Sequence, residues 1–448
     1  MTSIDEQASQ LTEMILIEIA DFVELFEETF DLPSANGSAA PASTKTTSSR
    51  WHDLRALGFT ADPYKVLKAV REGGPAKVIG TFGGANVWFV TRYDDARKVL
   101  AHPHVSSDIF DAPLQVNRAD DPRVRIPDDG YHAKNIPLAM EDERHVRIRP
   151  LLVKALNPSR VNALKSLVEQ TANRLVRDLP VGEPVDLHAR YGVPLVAEAL
   201  SGLLGIPSDT PREFPRWSDL LNFHMLDPQA ARLAGRTLYG FCASLMESKR
   251  ENAGDDALTD LCHARDEGIL SDFEMHGLVV LMLHAGQEAH AALTNGLVGL
   301  LRHPDQLSEV LNDLSLLPAA IDELLRYEGP LRLTLPRHTN APVELEGVTI
   351  PPREYVLVSL SAANHDAQRF EEPERVDIHR SDAKSHLAFG HGIHRCPGAR
   401  LGTMVAQVGL HALFTRFSSV RFADPIAQAP WRPSMFLRRL ESLPVVLD

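Results

Sequence analysis

Cys396 stands in Phe389-Gly390-His391-Gly392-Ile393-His394-Arg395-Cys396-Pro397-Gly398, the stretch of this chain richest in chemical content. Glycines at 390, 392 and 398 frame the cysteine, and His391, His394 and Arg395 are basic neighbours. Glycine allows turns closed to other residues and lets a flat ligand come close. A thiolate that binds metal needs shelter, nearby positive charge and N–H donors. Pro397 presets a helix start, because its missing N–H costs nothing at the first helical position. That helix is predicted from Gly398 to Phe417, with Leu401, Val405, Val408 and Ala412 among its apolar positions. One cysteine at a helix N-terminus is what a haem iron held by thiolate requires. The competing reading is a loop cysteine acting as a small hydrophobe.

The segment fits F-G-x-G-x-H-x-C-x-G throughout, and so resembles the haem loop of the cytochrome P-450 family. The resemblance makes Cys396 the axial ligand and places Phe389 and Gly390 beside the haem. Glu323 and Arg326 lie one helical turn apart and can pair. Alone they would read as a surface ion pair; the resemblance makes them a buried brace near the haem. Arg375, in Pro373-Glu374-Arg375, matches the family's third member of that brace, with Val376 where an aromatic is usual. Haem carries two propionates, which need cations or hydrogen-bond donors. His145 and Arg149 (an H-x-x-x-R pair on one helical face), Arg337 and His394 match the family's propionate ligands. Ala363-Asn364-His365-Asp366 and Arg369-Phe370 extend the likeness, which runs from about residue 51 to 448.

Leu283-His284-Ala285-Gly286-Gln287-Glu288-Ala289-His290 resembles the family's oxygen-activation motif in altered form. The small pair Ala285-Gly286 lets a helix pass close over a macrocycle; the plainer reading is a small-residue helix crossing. The resemblance implies an acid followed by a threonine. Glu288 supplies the acid, but Ala289 stands in the threonine position. Splitting dioxygen needs two protons, so something must replace that hydroxyl. His290 could donate near neutral pH. It would also point away from the haem, since consecutive helical residues face about 100° apart. The reading taken is a relay through a substrate hydroxyl or a bound water. Peroxide-using members carry arginine and proline where this chain has Glu288-Ala289.

These residues must be positioned by a frame that the pattern makes mainly α with a minor β region. Helical periodicity marks 141–180, 190–204, 211–226, 229–252, 255–267, 305–313 and 317–328, with one long helix from Ser271 to Arg302. Lys77-Val78-Ile79, Ala85 to Thr91, 343–350 and 354–360 read as strands, and Tyr93 to Ala101 as a helix. Ser106 to Ala139 is proline-rich and aperiodic, a length of loop that is commonly functional. Residues 1–33 form an acidic amphipathic pattern, and Ser34 to Arg50 reads as a linker. The domain division is therefore 1–50, appended, and 51–448, catalytic. The resemblance implies the P-450 fold, a triangular prism enclosing haem b.

Net charge is −14, which argues against nucleic acid. Three cysteines without tight spacing fit a reducing cytoplasm. No apolar run reaches a membrane span. No Asp or Glu occurs between Asp382 and Asp424, while Lys384, Arg395, Arg400, Arg416 and Arg421 do. A basic patch around the thiolate loop steers an acidic partner. The resemblance implies O2 chemistry with NAD(P)H-derived electrons from a ferredoxin and its reductase. It places a small-molecule pocket near the 106–139 loop, helices near 219–240, Val279, Leu283, Leu333, Thr334, Met435 and Phe436. Ala289 resembles certain macrolide-precursor hydroxylases, which points to a polyketide-type substrate. The alternatives are a substrate tethered to a carrier protein, docked by the N-terminal helix, and a haem-binding protein without turnover.

Overall fold

The computed structural model describes residues 62–82, 85–108, 141, 143–210, 212–223, 227–424 and 429–448. The N-terminal helix and linker, and most of the 106–139 loop, lie outside the described residues.

The described residues open on a helix and a five-stranded sheet. Helix α1 (Tyr64–Glu72) leads into β1 (Ala76–Phe82) and β2 (Ala85–Val90), followed by α2 (Tyr93–Leu100) and β3 (Val105–Ser106). The sheet is completed far downstream by β5 (Arg337–Thr339) and β8 (Tyr355–Val358), in the order β1-β2-β8-β5-β3. Among the described residues only β2 and β8 run parallel, in register Val87 to Tyr355 through Val90 to Val358. Between β5 and β8, β6 (Val343–Leu345) and β7 (Val348–Ile350) form a hairpin around Gly347, whose φ of +73° suits glycine. A three-stranded sheet pairs β10 (Pro444–Leu447) with both β4 (Pro184–Asp186) and β9 (Val420–Phe422).

The larger part is helical. In chain order it holds α3 (Glu143–Ala155), α4 (Pro158–Arg177), α5 (Val193–Leu204), α6 (Phe214–Asn222), α7 (Pro228–Glu251), α8 (Ala257–Asp266), α9 (Asp272–Gly286), α10 (Ala289–Leu301), α11 (Pro304–Asn312) and α12 (Leu317–Glu328). Helices α13 (Leu360–Asn364) and α14 (Ala399–Arg416) follow β8. Local chemistry sets the ends: Asn157 and Asp227 cap α4 and α7, each with proline at the next position, and Ser271 and Glu274 form a capping box on α9. Helix α10 is buried from His290 to Leu301, as befits a mostly apolar helix. It packs on α14 and α12, and α14 packs on α4. Among the described residues no helix is long and apolar enough to cross a membrane.

The single helix expected over Ser271–Arg302 is two helices. Gly286 ends α9, and Gln287-Glu288 form a turn before Ala289 starts α10. Here the backbone bonds tighten to a three-residue spacing: Glu288 N–H to Ala285 at 3.2 Å, His290 N–H to Gln287 at 3.1 Å and Ala291 N–H to Glu288 at 3.0 Å. Glycine's poor helix propensity weakens the site, and the Glu288 side chain is held sideways by Asn222 and Arg439.

Candidate active site

The thiolate loop is a series of tight turns. The Cys396 N–H donates to the Phe389 carbonyl at 2.9 Å, Gly390 N–H to Leu387 at 2.8 Å and Arg395 N–H to Gly392 at 3.1 Å. Gly390 and Gly392 have φ of +69° and +75°. Gly392 has a second constraint: a Cβ there would stand 2.3 Å from the Leu100 carbonyl oxygen at the end of α2. The sulfur receives the backbone N–H groups of Gly398 and Ala399, at the positive start of α14. Burial pushes the Cys396 thiol up, while those two N–H groups, Arg149 and Arg395 pull it down. Cys396 is nonetheless accessible. A side chain both wrapped in protein and accessible faces an internal hollow.

The helix break borders the same hollow. Ala285 is accessible although it lies on an interior helix. A Cβ on Gly402 of α14 would lie 3.9 Å from both Ala289 Cβ and Phe389 Cε1, so Ala289 faces the thiolate loop. Gly286 does not. Its missing Cβ would stand 2.8 Å from Leu200 Cδ2, at the crossing of α9 over α5. Glu288 accepts from Asn222 Nδ2 at 2.7 Å and Arg439 at 3.1 Å. Burial holds its carboxyl above the usual range, and Asp219 adds to that against Arg439 and Asn222. His290 is fully buried and faces the one-turn π-helix His188–Gly192, its ring 4.8 Å from that of His188. Burial, then Arg439 and His188, keep it neutral. It points away from the loop that carries Cys396.

A second group of residues gathers at the start of α3. The His145 and His394 rings lie 4.6 Å apart. His394 Nε2 is 2.8 Å from Glu141 Oε1 and 2.9 Å from the Ser107 hydroxyl. Arg337, at the start of β5, is buried, and its Nε atom has no hydrogen-bond partner. Arg149 donates to the Arg395 carbonyl, beside Cys396. Sequence reasoning missed Glu141 and Ser107. Neither had a local signal: Glu141 precedes α3, and its partners Ser107 and His394 are remote in sequence.

The brace differs from expectation in its third member. Arg326 donates to Glu323 at 2.7 and 2.8 Å, and to the carbonyls of Asn364, Pro373 and Arg375 at 2.8, 2.9 and 3.1 Å. Arg375 contributes only that carbonyl; its guanidinium is exposed and pairs with Glu372 at 3.6 Å. Arg380 is the second cation on Glu323, at 3.1 and 3.2 Å. The motif P-x-R pointed to the nearer arginine, but the turn through Pro373–Asp377 leaves its side chain in solvent and brings Arg380 inward.

The residues expected to contact substrate fall into two groups. Val279 and Leu283 are fully buried in the main core. Leu333 and Met435 are buried, with Phe436 against them, in a smaller core beside the five-stranded sheet. Thr334 is tied to β8 by its N–H, 3.0 Å from the Val358 carbonyl. A separate cleft of about 170 Å³, lined in part by Tyr239, Met246, Phe273 and His276, shares no residue with the thiolate loop.

Comparison with known proteins completes the picture. Residues 224–424 match the family model Cytochrome P450. The chain is 37% identical to Cytochrome P450 107B1 of Saccharopolyspora erythraea over 86% of its own length and 95% of that protein's. It is 35% identical to 6-deoxyerythronolide B hydroxylase of the same organism, over 88% and 98%. Among solved structures, the tirandamycin C-bound P450 monooxygenase TamI superposes with a TM-score of 0.76 at 33% identity, covering 87% of this chain and 98% of that one. The thiolate loop at the start of α14, facing the break between α9 and α10, thus has relatives over nearly its whole frame, and the chain belongs to the cytochrome P450 family as one of its monooxygenases.

Proposed function

We propose that this enzyme inserts one atom of O2 into a large oxygenated natural product of polyketide or macrolide type, using electrons delivered by a ferredoxin. The observation that carries the reading is Cys396: one accessible sulfur at a helix N-terminus, in a loop whose Phe389 shares the neighbourhood of Gly402 with Ala289. The donor set fits haem. Cys396 supplies one anionic ligand sheltered by two N–H groups, the orphaned Nε of buried Arg337 awaits an anion, and a chain carboxylate already occupies His394 and Ser107. Cys396 would hold the iron, and His145, Arg149, Arg337 and His394 the propionates. Haem, when bound, supplies the reductive activation of dioxygen.

The protein's part is to bind, orient and supply protons. Ala289 offers no hydroxyl toward the hollow, and His290 faces the π-helix instead. Protons therefore pass through a substrate hydroxyl or a water that it orders. That requirement favours an oxygenated substrate over a plain hydrocarbon, in keeping with a relative named for polyketide biosynthesis. On the opposite face Ile393, Arg395 and Arg400 are exposed in a segment without acids, a surface suited to an acidic electron carrier.

The test has two stages. Reduced protein with CO should give the thiolate-ligated spectrum, lost in Cys396→Ser. A library of natural products should then be screened by haem difference spectroscopy, and binders turned over with a surrogate ferredoxin and reductase. Oxidation of free polyketides supports the proposal. Oxidation only of carrier-tethered thioesters would replace it with the carrier-protein reading, and spectral binding without turnover with the non-catalytic one.

A further inference from the structure

One propionate-side donor, His394, already faces an anion, and it belongs to this chain. Glu141 Oε1 accepts from the Ser107 backbone N–H and hydroxyl, each at 2.8 Å, and lies 2.8 Å from His394 Nε2. Burial opposes its ionisation, but the hydrogen bonds of His394 and Ser107 and the charge of His394 overcome that and hold the carboxyl down at about 2. It is a carboxylate at neutral pH. Its charge is also the one that favours the cationic form of buried Arg337.

Two carboxylates cannot share one set of donors without repulsion and lost hydrogen bonds. A buried guanidinium left with no anion is costly as well. Resting on the haem reading above, we propose that Glu141 is an internal stand-in for a haem propionate. In the haem-free chain it ties His394 to Ser107, and its charge balances that of buried Arg337. Haem must displace it to load, so Glu141 lends stability to the empty site and subtracts from haem affinity.

The experiment uses the full-length chain, prepared haem-free, as wild type, Glu141→Gln and Glu141→Ala. Haem uptake is followed by absorbance, and loss by transfer to excess apomyoglobin. Haem dimethyl ester, which lacks the propionate charges, is the second ligand. Expected are a haem-free melting temperature lower in both variants and haem held about tenfold more tightly than by wild type, the scale of one charged hydrogen bond. The ester should show no such difference between the three proteins. Unchanged or weaker haem retention in Glu141→Gln would overturn the proposal, since it would make Glu141 a supporting partner of His394. An equal gain with the ester would overturn it too, by showing that space rather than charge was released. A wild-type chain that takes up haem without the thiolate-ligated CO spectrum refutes the Cys396 assignment and leaves the Glu141 comparison readable.

Discussion

At the scale of single residues, Arg380 and Arg375 make the cleanest contrast. Glu323 is fully buried with Arg326, and Arg380 adds a second cation whose side chain is 8% exposed, against 61% for Arg375. Arg380→Ala leaves the Glu323–Arg326 pair intact but removes charged hydrogen bonds to a buried carboxylate, so it should cost about 1.5–3 kcal/mol. Arg375→Ala, which keeps its carbonyl, should stay within about 0.5 kcal/mol. Chemical unfolding of the two variants decides; equal losses would reject the assignment. The proton route gives a second test. His290→Ala should leave product formed per NAD(P)H consumed unchanged, because the ring faces His188. Ala289→Thr should restore coupling on substrate analogues stripped of a hydroxyl. Poor coupling in His290→Ala on the full substrate would reinstate the histidine.

At the scale of elements, the break between α9 and α10 is the main departure from expectation. Nothing in Ser271–Arg302 announced it, because Gly286 and Gln287 are tolerable in a helix. The cause lies in distant partners, Asn222 on α6 and Arg439 near the C-terminus, which pull Glu288 aside. The ends of α14, α7 and α12 were legible because caps and prolines are local chemistry. Arg380 and Glu141 were not, because each is defined by a residue remote in sequence. Gly286 carries the prediction here. Gly286→Ala would drive a Cβ to 2.8 Å from Leu200 Cδ2, an overpacking worth about 1–3 kcal/mol. Adding Leu200→Ala should recover part of that loss in thermal melts. A Gly286→Ala variant as stable as wild type would show that the crossing of α9 and α5 has slack.

At the scale of the whole molecule, neutral buried histidines set the response to acid. Burial drives His188, His276, His284 and His386 down to about 4, and holds His290 and His365 well below the usual histidine range. In the unfolded chain each titrates near 6.5. Between those values the unfolded chain binds protons that the folded chain refuses. Stability is therefore complete above about pH 6.5 and falls toward pH 4, well before most carboxylates protonate. Denaturant unfolding of the haem-loaded enzyme across that window should show the decline, and His290→Phe should shrink it. A flat profile from pH 7 to 5 would contradict the burial of these rings. The mainly α frame and the location of the thiolate loop were readable because helical periodicity and a ten-residue motif are carried by the chain itself. Which side chains share the hollow was not, because that is a property of how α3, α9 and the 389–398 turns meet.

The contact between Gly392 and the Leu100 carbonyl has a consequence for anyone recombining enzymes of this family. The 389–398 loop is fitted to the end of α2, nearly three hundred residues earlier, with no room for a methyl group between them. A chimera that exchanges only the 389–398 segment inherits a lock without its key. The Leu100–Ala101 turn must travel with it, and crossover points chosen between those two segments should yield folded chains that lose their haem.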